Sequence, residues 1–388
     1  MVVRNLCNKK SFITLCLSII LLFSNSIFVY GNSVGIEDEV SGYLLGDFKN
    51  GEILEEYNID KPIEIASITK LMTYLVVMDE IEKGTTSMDD NVRIDKEVEE
   101  VKGSSLNLKE GEMFTVEELI EGLLVVSAND GAVALAKHIA GSEREFVNKM
   151  NTKAKELELK NTLYFNSTGL PEEKVKNLMS PEDIFTLAKH IIKEYPEVLK
   201  VSSIPYIENE EREFKQENTN HLLNNLKGVD GLKTGFTEGA GYCLVSTMEI
   251  NDCRLIGIVM GTEDEEKRNE LSKTLLQYGL NNYSKEIIAS TEKVIATKKI
   301  PNSKIGEIEI FPIRDVNVLK KEDENIKIDV IPEEKLKAPL KKGEVVGKLA
   351  VLKDDVIIDE VDLIVKEDYK KAFFLTTIFR YIKGIFVD

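Results

Sequence analysis

The stretch that most narrows what this chain can fold into is a pair of apolar runs around two polar residues. Gly241-Tyr-Cys-Leu-Val-Ser-Thr-Met-Glu-Ile250 and Cys253-Arg-Leu-Ile-Gly-Ile-Val-Met260 flank Asn251-Asp252. A two-residue turn there pairs Ile250 with Cys253 and sets the ladder behind it, with Cys243 opposite Met260. The two sulfurs then lie several residues apart along the strands. They are too far apart to bond, so no disulfide is expected even in an oxidising compartment. Upstream, Val229–Thr237 reads as a further strand, and 263–283 as a helix. Near the start, 41–47 and 52–57 read as two strands around a turn at Lys49-Asn50-Gly51. Between these groups the apolar period is helical. Leu71, Met72, Leu75, Met78 and Ile81 mark a helix from Ser67 that Gly84 stops, and further helices fit 116–126, 131–140, 143–157 and 181–195. Strands, then helices, then strands predict an α+β fold with an antiparallel sheet in which the first and last strands pair.

Beyond about residue 284 the pattern changes to short alternating runs at 293–297, 306–311, 326–331, 344–352 and 356–365. Proline, glycine and charge clusters separate them. They predict a second, all-β domain of about 80 residues, with no concentration of catalytic residue types.

The first 31 residues read as a secretory signal: Arg4, Lys9 and Lys10 precede an apolar stretch from about Phe12 to Val29, and Val29-Tyr30-Gly31 offers a cleavage site. Ser24, Asn25 and Ser26 break that stretch, which argues against a retained anchor. Loss of the three cations takes the net charge from −18 to −21. So acidic a chain is not expected to bind nucleic acid. Three histidines and four cysteines, with neither C-x-x-C nor H-E-x-x-H, give no reason to expect a metal or cofactor. At the other end, Phe374, Leu375, Ile378, Ile382 and Ile385 share one face of an amphipathic helix, with Thr376, Arg380 and Lys383 opposite. It is too short and too charged to cross a bilayer and suits the membrane interface. The expected division is a signal peptide over 1–31, an α+β domain over 32–284, an all-β domain over 285–366 and the amphipathic helix over 367–388.

Three short motifs carry the chemistry. Ser67-Ile-Thr-Lys70 puts a hydroxyl and an amine one helical turn apart on one face. The lysine can act as a base only if it spends time neutral, which desolvation and a second nearby cation promote. Alone the pattern is weak, since Ser290-Thr-Glu-Lys293 repeats it in the β region. Ser127-Ala-Asn129 lies in a short connection between two helices. Ser105-Leu-Asn107 has the same spacing, and helix capping is an ordinary use for either pair. Lys233-Thr-Gly235 occurs once. On a strand, Gly235 lets a substrate backbone come close, while Lys233 and Thr234 present a cation and a hydroxyl to a carboxylate.

In this order the three motifs resemble those of the low-molecular-mass penicillin-binding proteins, the serine D-alanyl-D-alanine carboxypeptidases. The segments Ala66-Ser-Ile-Thr-Lys-Leu-Met-Thr73, Gly103-Ser-Ser-Leu-Asn-Leu108, Gly169-Leu-Pro171 and Val229-Asp-Gly-Leu-Lys-Thr-Gly-Phe-Thr-Glu-Gly-Ala-Gly-Tyr242 extend the likeness over about residues 35–285. The resemblance implies a penicillin-binding/β-lactamase-like fold and a division of roles. Ser67 attacks the carbonyl of the penultimate D-alanine of a peptidoglycan stem peptide, and Lys70 takes its proton. Ser127 relays a proton to the leaving D-alanine, and Asn129 holds the substrate amide. Lys233 and Thr234 bind the terminal carboxylate beside Gly235, and the backbone N–H groups of Ser67 and Phe236 form the oxyanion hole. β-Lactams are then covalent inhibitors, and the enzyme is exported to the outer face of the cytoplasmic membrane.

Some relatives carry His where this chain has Phe236, a position whose backbone alone is required. Some also carry an arginine between two asparagines ahead of the K-T-G strand. Here that stretch is Asn218-Thr219-Asn220, so the carboxylate must rest on Lys233 or on a cation that the sequence does not single out. A β-lactamase of the same fold would need S-D-N at Ser127-Ala-Asn129 and a deacylating glutamate, and Glu172 and Glu173 do not have its spacing. A non-catalytic peptidoglycan binder or β-lactam sensor would lack the serine or the lysine, and both are present. No G-x-S-x-G occurs, and His138 and His190 fall within expected helices.

Overall fold

The hairpin expected around Asn251-Asp252 organises the α+β body of this computed structural model, which describes residues 34–172, 175–300, 302–375 and 378. The expected signal peptide, Glu173 and most of the expected tail helix lie outside the described residues. Five strands, β1 (Gly42–Asp47), β2 (Ile53–Tyr57), β3 (Val229–Thr237), β4 (Gly241–Ile250) and β5 (Cys253–Thr262), form an antiparallel sheet in the order β2-β1-β5-β4-β3. The first and last strand groups do pair, through β1 and β5. Asn251 and Asp252 take φ of 53° and 58°, the left-handed pair that a tight hairpin turn requires. Ile250 faces Cys253, and the register holds as far as Leu244 opposite Val259. It then slips, and Tyr242 faces Thr262. The expected pairing of Cys243 with Met260 is therefore displaced by a bulge, whose extra residue lies in β5 where Gly261 adopts φ 76°. Cys243 and Cys253 are free thiols.

The long helices are α1 (Lys70–Glu82), α2 (Val116–Val125), α3 (Asn129–Ala140), α4 (Glu143–Glu156), α5 (Pro181–Glu194) and α6 (Glu265–Asn282). Each lies within a few residues of its expectation. Thr115 and Glu118 close a capping box on α2, and the Ser180 and Asp264 side chains cap α5 and α6. The sheet is covered on both faces. Gly46 abuts Phe185 of α5, while Gly257 abuts Leu276 of α6 from the other side. β1 is buried along its whole length as a result. α1 is buried from Lys70 to Glu80, the mark of a helix enclosed by others rather than lying on a surface. One departure concerns its start. The expected first turn at Ser67 is a 3-10 turn, Ala66–Thr69, and the α-helix begins only at Lys70.

The all-β domain follows, with β6 (Ser284–Ala289), β7 (Ala296–Lys299), β8 (Glu307–Pro312), β9 (Val316–Lys320), β10 (Ile326–Pro332), β11 (Val345–Lys353) and β12 (Val356–Ile364). Five strands run in the order β7-β8-β12-β11-β10, and β6 pairs with β9. Ile308, Ile310, Leu349, Val351, Val361 and Leu363 form its separate core. A polar junction ties this domain to the β1–β2 hairpin. Lys353 reaches Glu52 at 2.8 Å and Glu324 at 2.7 Å, Lys321 pairs with Glu55, and the Tyr283 hydroxyl donates to the Leu54 carbonyl. Among the described residues no helix is long and apolar enough to cross a membrane.

Candidate active site

The turn that carries Ser67 is shaped from below. Ala66 takes φ 45°, and a side chain on Gly169 would come within 1.8 Å of its carbonyl oxygen. Gly169, itself at φ 87°, is thus required by both space and backbone. At the head of α1, Lys70 donates to the Ser67 hydroxyl at 2.9 Å, to Asn129 Oδ1 at 2.6 Å and to the Thr168 carbonyl at 2.8 Å. Three acceptors match the three donors of an ammonium. Yet the amine is wholly buried. Desolvation first, and the nearby Lys233 cation second, hold it well below the usual lysine range, with Asp130 pulling the other way. These are the two conditions that a lysine base requires.

The second motif opens α3. The Asn129 side-chain amide donates to the Lys102 carbonyl at 2.8 Å, which leaves its oxygen facing Lys70. Ser127 is buried at φ 62°, a left-handed conformation uncommon for serine, and it lines the cleft. The competing Ser105 instead hydrogen-bonds Asp130 at 2.6 Å. The other S-x-x-K pair, Ser290 and Lys293, lies in a turn of the all-β domain where the Lys293 amide bonds back to the Ser290 carbonyl.

The third motif lies on β3, the last strand of its sheet. A side chain on Gly235 would meet the Ile65 carbonyl at 2.9 Å, so its absence lets β3 close over the serine turn. Lys233 is buried, and desolvation and then the Arg268 guanidinium pull it down to about 7. Thr234 donates to the Thr219 hydroxyl at 2.7 Å. Phe236 is half exposed and stacks on Tyr242 at 4.1 Å.

These elements enclose a cleft of about 380 Å³ lined by Ser67, Ser127, Thr234, Gly235 and Phe236, with Lys70, Asn129 and Lys233 buried around it. All eight expected residues are brought together. A larger cavity of about 580 Å³ between α1 and α4 holds none of them, and its Glu80 is already paired with Lys83 and Lys149. Sequence reasoning missed the one arginine among the lining residues. Arg268 of α6 is 3% exposed, reaches the Thr219 carbonyl at 3.4 Å and pairs with Glu265 at 2.8 Å. Its signal was a cation in the same helical stripe as Leu271, Ser272 and Leu275, all buried.

Fold and cleft together define the penicillin-binding class of serine hydrolases. Residues 36–264 match the D-alanyl-D-alanine carboxypeptidase family, and residues 283–371 match the C-terminal domain of penicillin-binding protein 5. The chain belongs to the D-alanyl-D-alanine carboxypeptidase family, serine enzymes of cell-wall metabolism. D-alanyl-D-alanine carboxypeptidase DacF of Bacillus subtilis (strain 168) is 34% identical over 378 residues, which span 95% of this chain and 96% of the relative. The crystal structure of penicillin binding protein 5 from Haemophilus influenzae is similar with a TM-score of 0.74 and 31% identity, covering 86% of this chain and 98% of that one. Penicillin-binding protein D2 from Listeria monocytogenes, solved in an ampicillin-bound form, has a TM-score of 0.58 and 32% identity over 62% of this chain and 97% of its own.

Proposed function

We propose that this enzyme removes the terminal D-alanine from peptidoglycan stem pentapeptides through an acyl-enzyme on Ser67. The observation that carries the proposal is the desolvated Lys70 amine, 2.9 Å from the Ser67 hydroxyl and beside a second buried cation. In its neutral form Lys70 accepts the Ser67 proton as the oxygen attacks the carbonyl of the penultimate residue. The oxyanion is met by the backbone N–H groups of Ser67 and Phe236, where fixed donors contribute several kcal/mol. The C–N bond breaks as Ser127 passes a proton to the departing D-alanine nitrogen and takes one in turn from Lys70, which is left neutral again. Water then attacks the ester and gives up a proton to Lys70, which returns it to the Ser67 oxygen as the acyl–oxygen bond breaks. Asn129 holds the substrate amide, and Lys233, Thr234 and the strand edge at Gly235 receive the terminal carboxylate. Arg268 adds the cation that Thr219 cannot supply, from α6 rather than from the asparagine-flanked stretch. A β-lactam carries an equivalent carboxylate and a reactive amide, so it acylates the same serine, in keeping with the ampicillin-bound relative. Incubation with a muramyl pentapeptide should release D-alanine, and Ser67→Ala should abolish both that release and covalent labelling by penicillin. Label found at Ser290 would overturn the assignment.

We further propose the boundaries 1–31, 32–284, 285–371 and 372–388, the last moved from the expected 366/367 because Tyr369 is buried in the all-β core, with export through the first segment and membrane attachment through the last. The all-β domain supports attachment at that end. Its loops at 302–306, 335–344 and the segment 366–375 are tied by hydrogen bonds such as Lys304 N–H to the Lys370 carbonyl at 2.7 Å. Together they hold eight lysines against three acids in a chain of net charge −18. Phe373, Phe374 and Leu375 are at least three-quarters exposed there. A basic surface beside apolar side chains suits an anionic membrane.

A further inference from the structure

We propose that Arg212, outside all three motifs, is a positioning residue that fixes Asn129 by clamping the loop next to it. The inference rests on the acyl-transfer reading above. Arg212 ends a short 3-10 turn between two paired strands, Tyr206–Asn209 and Phe214–Glu217. Its guanidinium reaches across to the 102–112 segment. Nη1 donates to the Leu106 carbonyl at 3.0 Å and Nη2 to the Asn107 carbonyl at 2.7 Å. Nε and Nη2 also meet the two oxygens of Glu112 at 3.3 and 3.2 Å, and the group lies 4.9 Å from the centre of the Phe114 ring.

The same bend is held from its inner side by the opposite charge. Asp130 accepts from the Leu106 and Leu108 amides at 3.0 and 3.1 Å. Carbonyls thus face a guanidinium and amides face a carboxylate, and between them Asn107 is kept at φ 57°. What the bend controls lies just before it. The Lys102 carbonyl accepts from the Asn129 side chain, and the Ser104 carbonyl accepts from the Asn129 backbone at 2.7 Å. Those two contacts set which end of the amide faces Lys70 and the cleft. The hairpin that bears Arg212 also runs directly into Asn218-Thr219-Asn220, whose Thr219 receives the Thr234 hydroxyl. One side chain therefore joins the wall that orients the substrate amide to the wall beside the carboxylate anchor. Arg212 needs no substrate contact for this.

A surface ion pair with Glu112 would explain the arginine without any effect on the site, and two variants separate the explanations. Arg212→Ala removes the carbonyl contacts and the ion pair, whereas Glu112→Gln removes the charge pairing alone. Both are compared with the wild-type full chain in the rate of acylation by benzylpenicillin, the release of D-alanine from pentapeptide, and the melting temperature. Arg212→Ala should slow acylation about 10–100-fold, the scale of a misplaced but intact catalytic group. Glu112→Gln should slow it less than about threefold, because the carbonyl contacts survive. Acylation by 6-aminopenicillanic acid, which has no side-chain amide for Asn129 to hold, should fall several-fold less than acylation by benzylpenicillin. Equal slowing of both penicillins, equal effects of both variants, or a wild-type rate in Arg212→Ala would overturn the role. Arg212→Lys, which keeps the charge but cannot span both carbonyls, covers the case in which the alanine variant fails to fold, and it should not restore the rate. Failure of the wild-type chain itself to react with penicillin would instead remove the reading on which the proposal rests.

Discussion

Lys70 and Lys233 sit in one buried neighbourhood, and the proposed mechanism gives them opposite tasks. Lys70 has to be neutral to take a proton, so lowering its pKa extends activity towards lower pH. Lys233 has to be charged to attract a carboxylate, and it loses its proton as the pH rises through about 7. The kcat/KM profile, which reports the free enzyme, should therefore decline on the alkaline side. In the complex a bound carboxylate favours the ammonium, so kcat should persist to higher pH than kcat/KM. Coincident alkaline limbs for the two parameters would contradict this role for Lys233. Arg268→Gln should lower kcat/KM about 10–100-fold on the acid substrate, the worth of one charge-assisted hydrogen bond. A substrate amidated at its terminal carboxylate, already poor, should show little further loss. The eight candidate residues were legible because two of the three motifs recur by chance elsewhere but the ordered triplet does not. Arg268 was not legible, because one arginine in a helix has no spacing rule to mark it. Only the packing of α6 against the Asn218-Thr219-Asn220 stretch brings it to the cleft.

Elements followed the sequence wherever burial was one-sided or total. The apolar period located α1 to α6 and β1 to β5, and the Asn251-Asp252 turn fixed their central hairpin. β6 escaped because it is largely exposed, and β9, though buried at Val316 and Val318, because five residues are too short a run to mark a strand. The 3-10 turn at Ser67 escaped for another reason. Its tightening is imposed from outside, by the loop at Gly169 beneath it and by β3 at Gly235 above. Gly169→Ala tests this directly. A methyl group 1.8 Å from the Ala66 carbonyl, on a residue at φ 87°, has to push the turn away. The variant should be destabilised by about 2–4 kcal/mol in urea unfolding and should label with penicillin much more slowly at a temperature where it is folded. Labelling at the wild-type rate would mean that the turn does not depend on that loop.

At the scale of the whole molecule, the two folded parts are joined by charge rather than by a shared apolar core. Lys353 serves both Glu52 and Glu324, and all three side chains are less than one-fifth exposed. Lys353→Met leaves two carboxylates facing each other without a cation, which should cost about 3–5 kcal/mol, the usual penalty for removing one partner of a buried pair. Calorimetry on the full chain should show a lower main transition with penicillin labelling preserved below it. Truncation after Lys371 tests the other end. It should yield an enzyme that still labels with penicillin but no longer sediments with anionic vesicles, and retained sedimentation would rule out the tail as the attachment. A last consequence follows from where β3 stands. It closes the sheet order among the described residues, and residues 234–236 border the cleft. A peptide lying there is offered main-chain groups, as a visiting sixth strand would be. Main-chain pairing of that kind is indifferent to most side chains, and in the proposed mechanism the cation of Lys233 beside it makes the site strict about how a chain terminates. The enzyme is built to read an ending rather than a sentence.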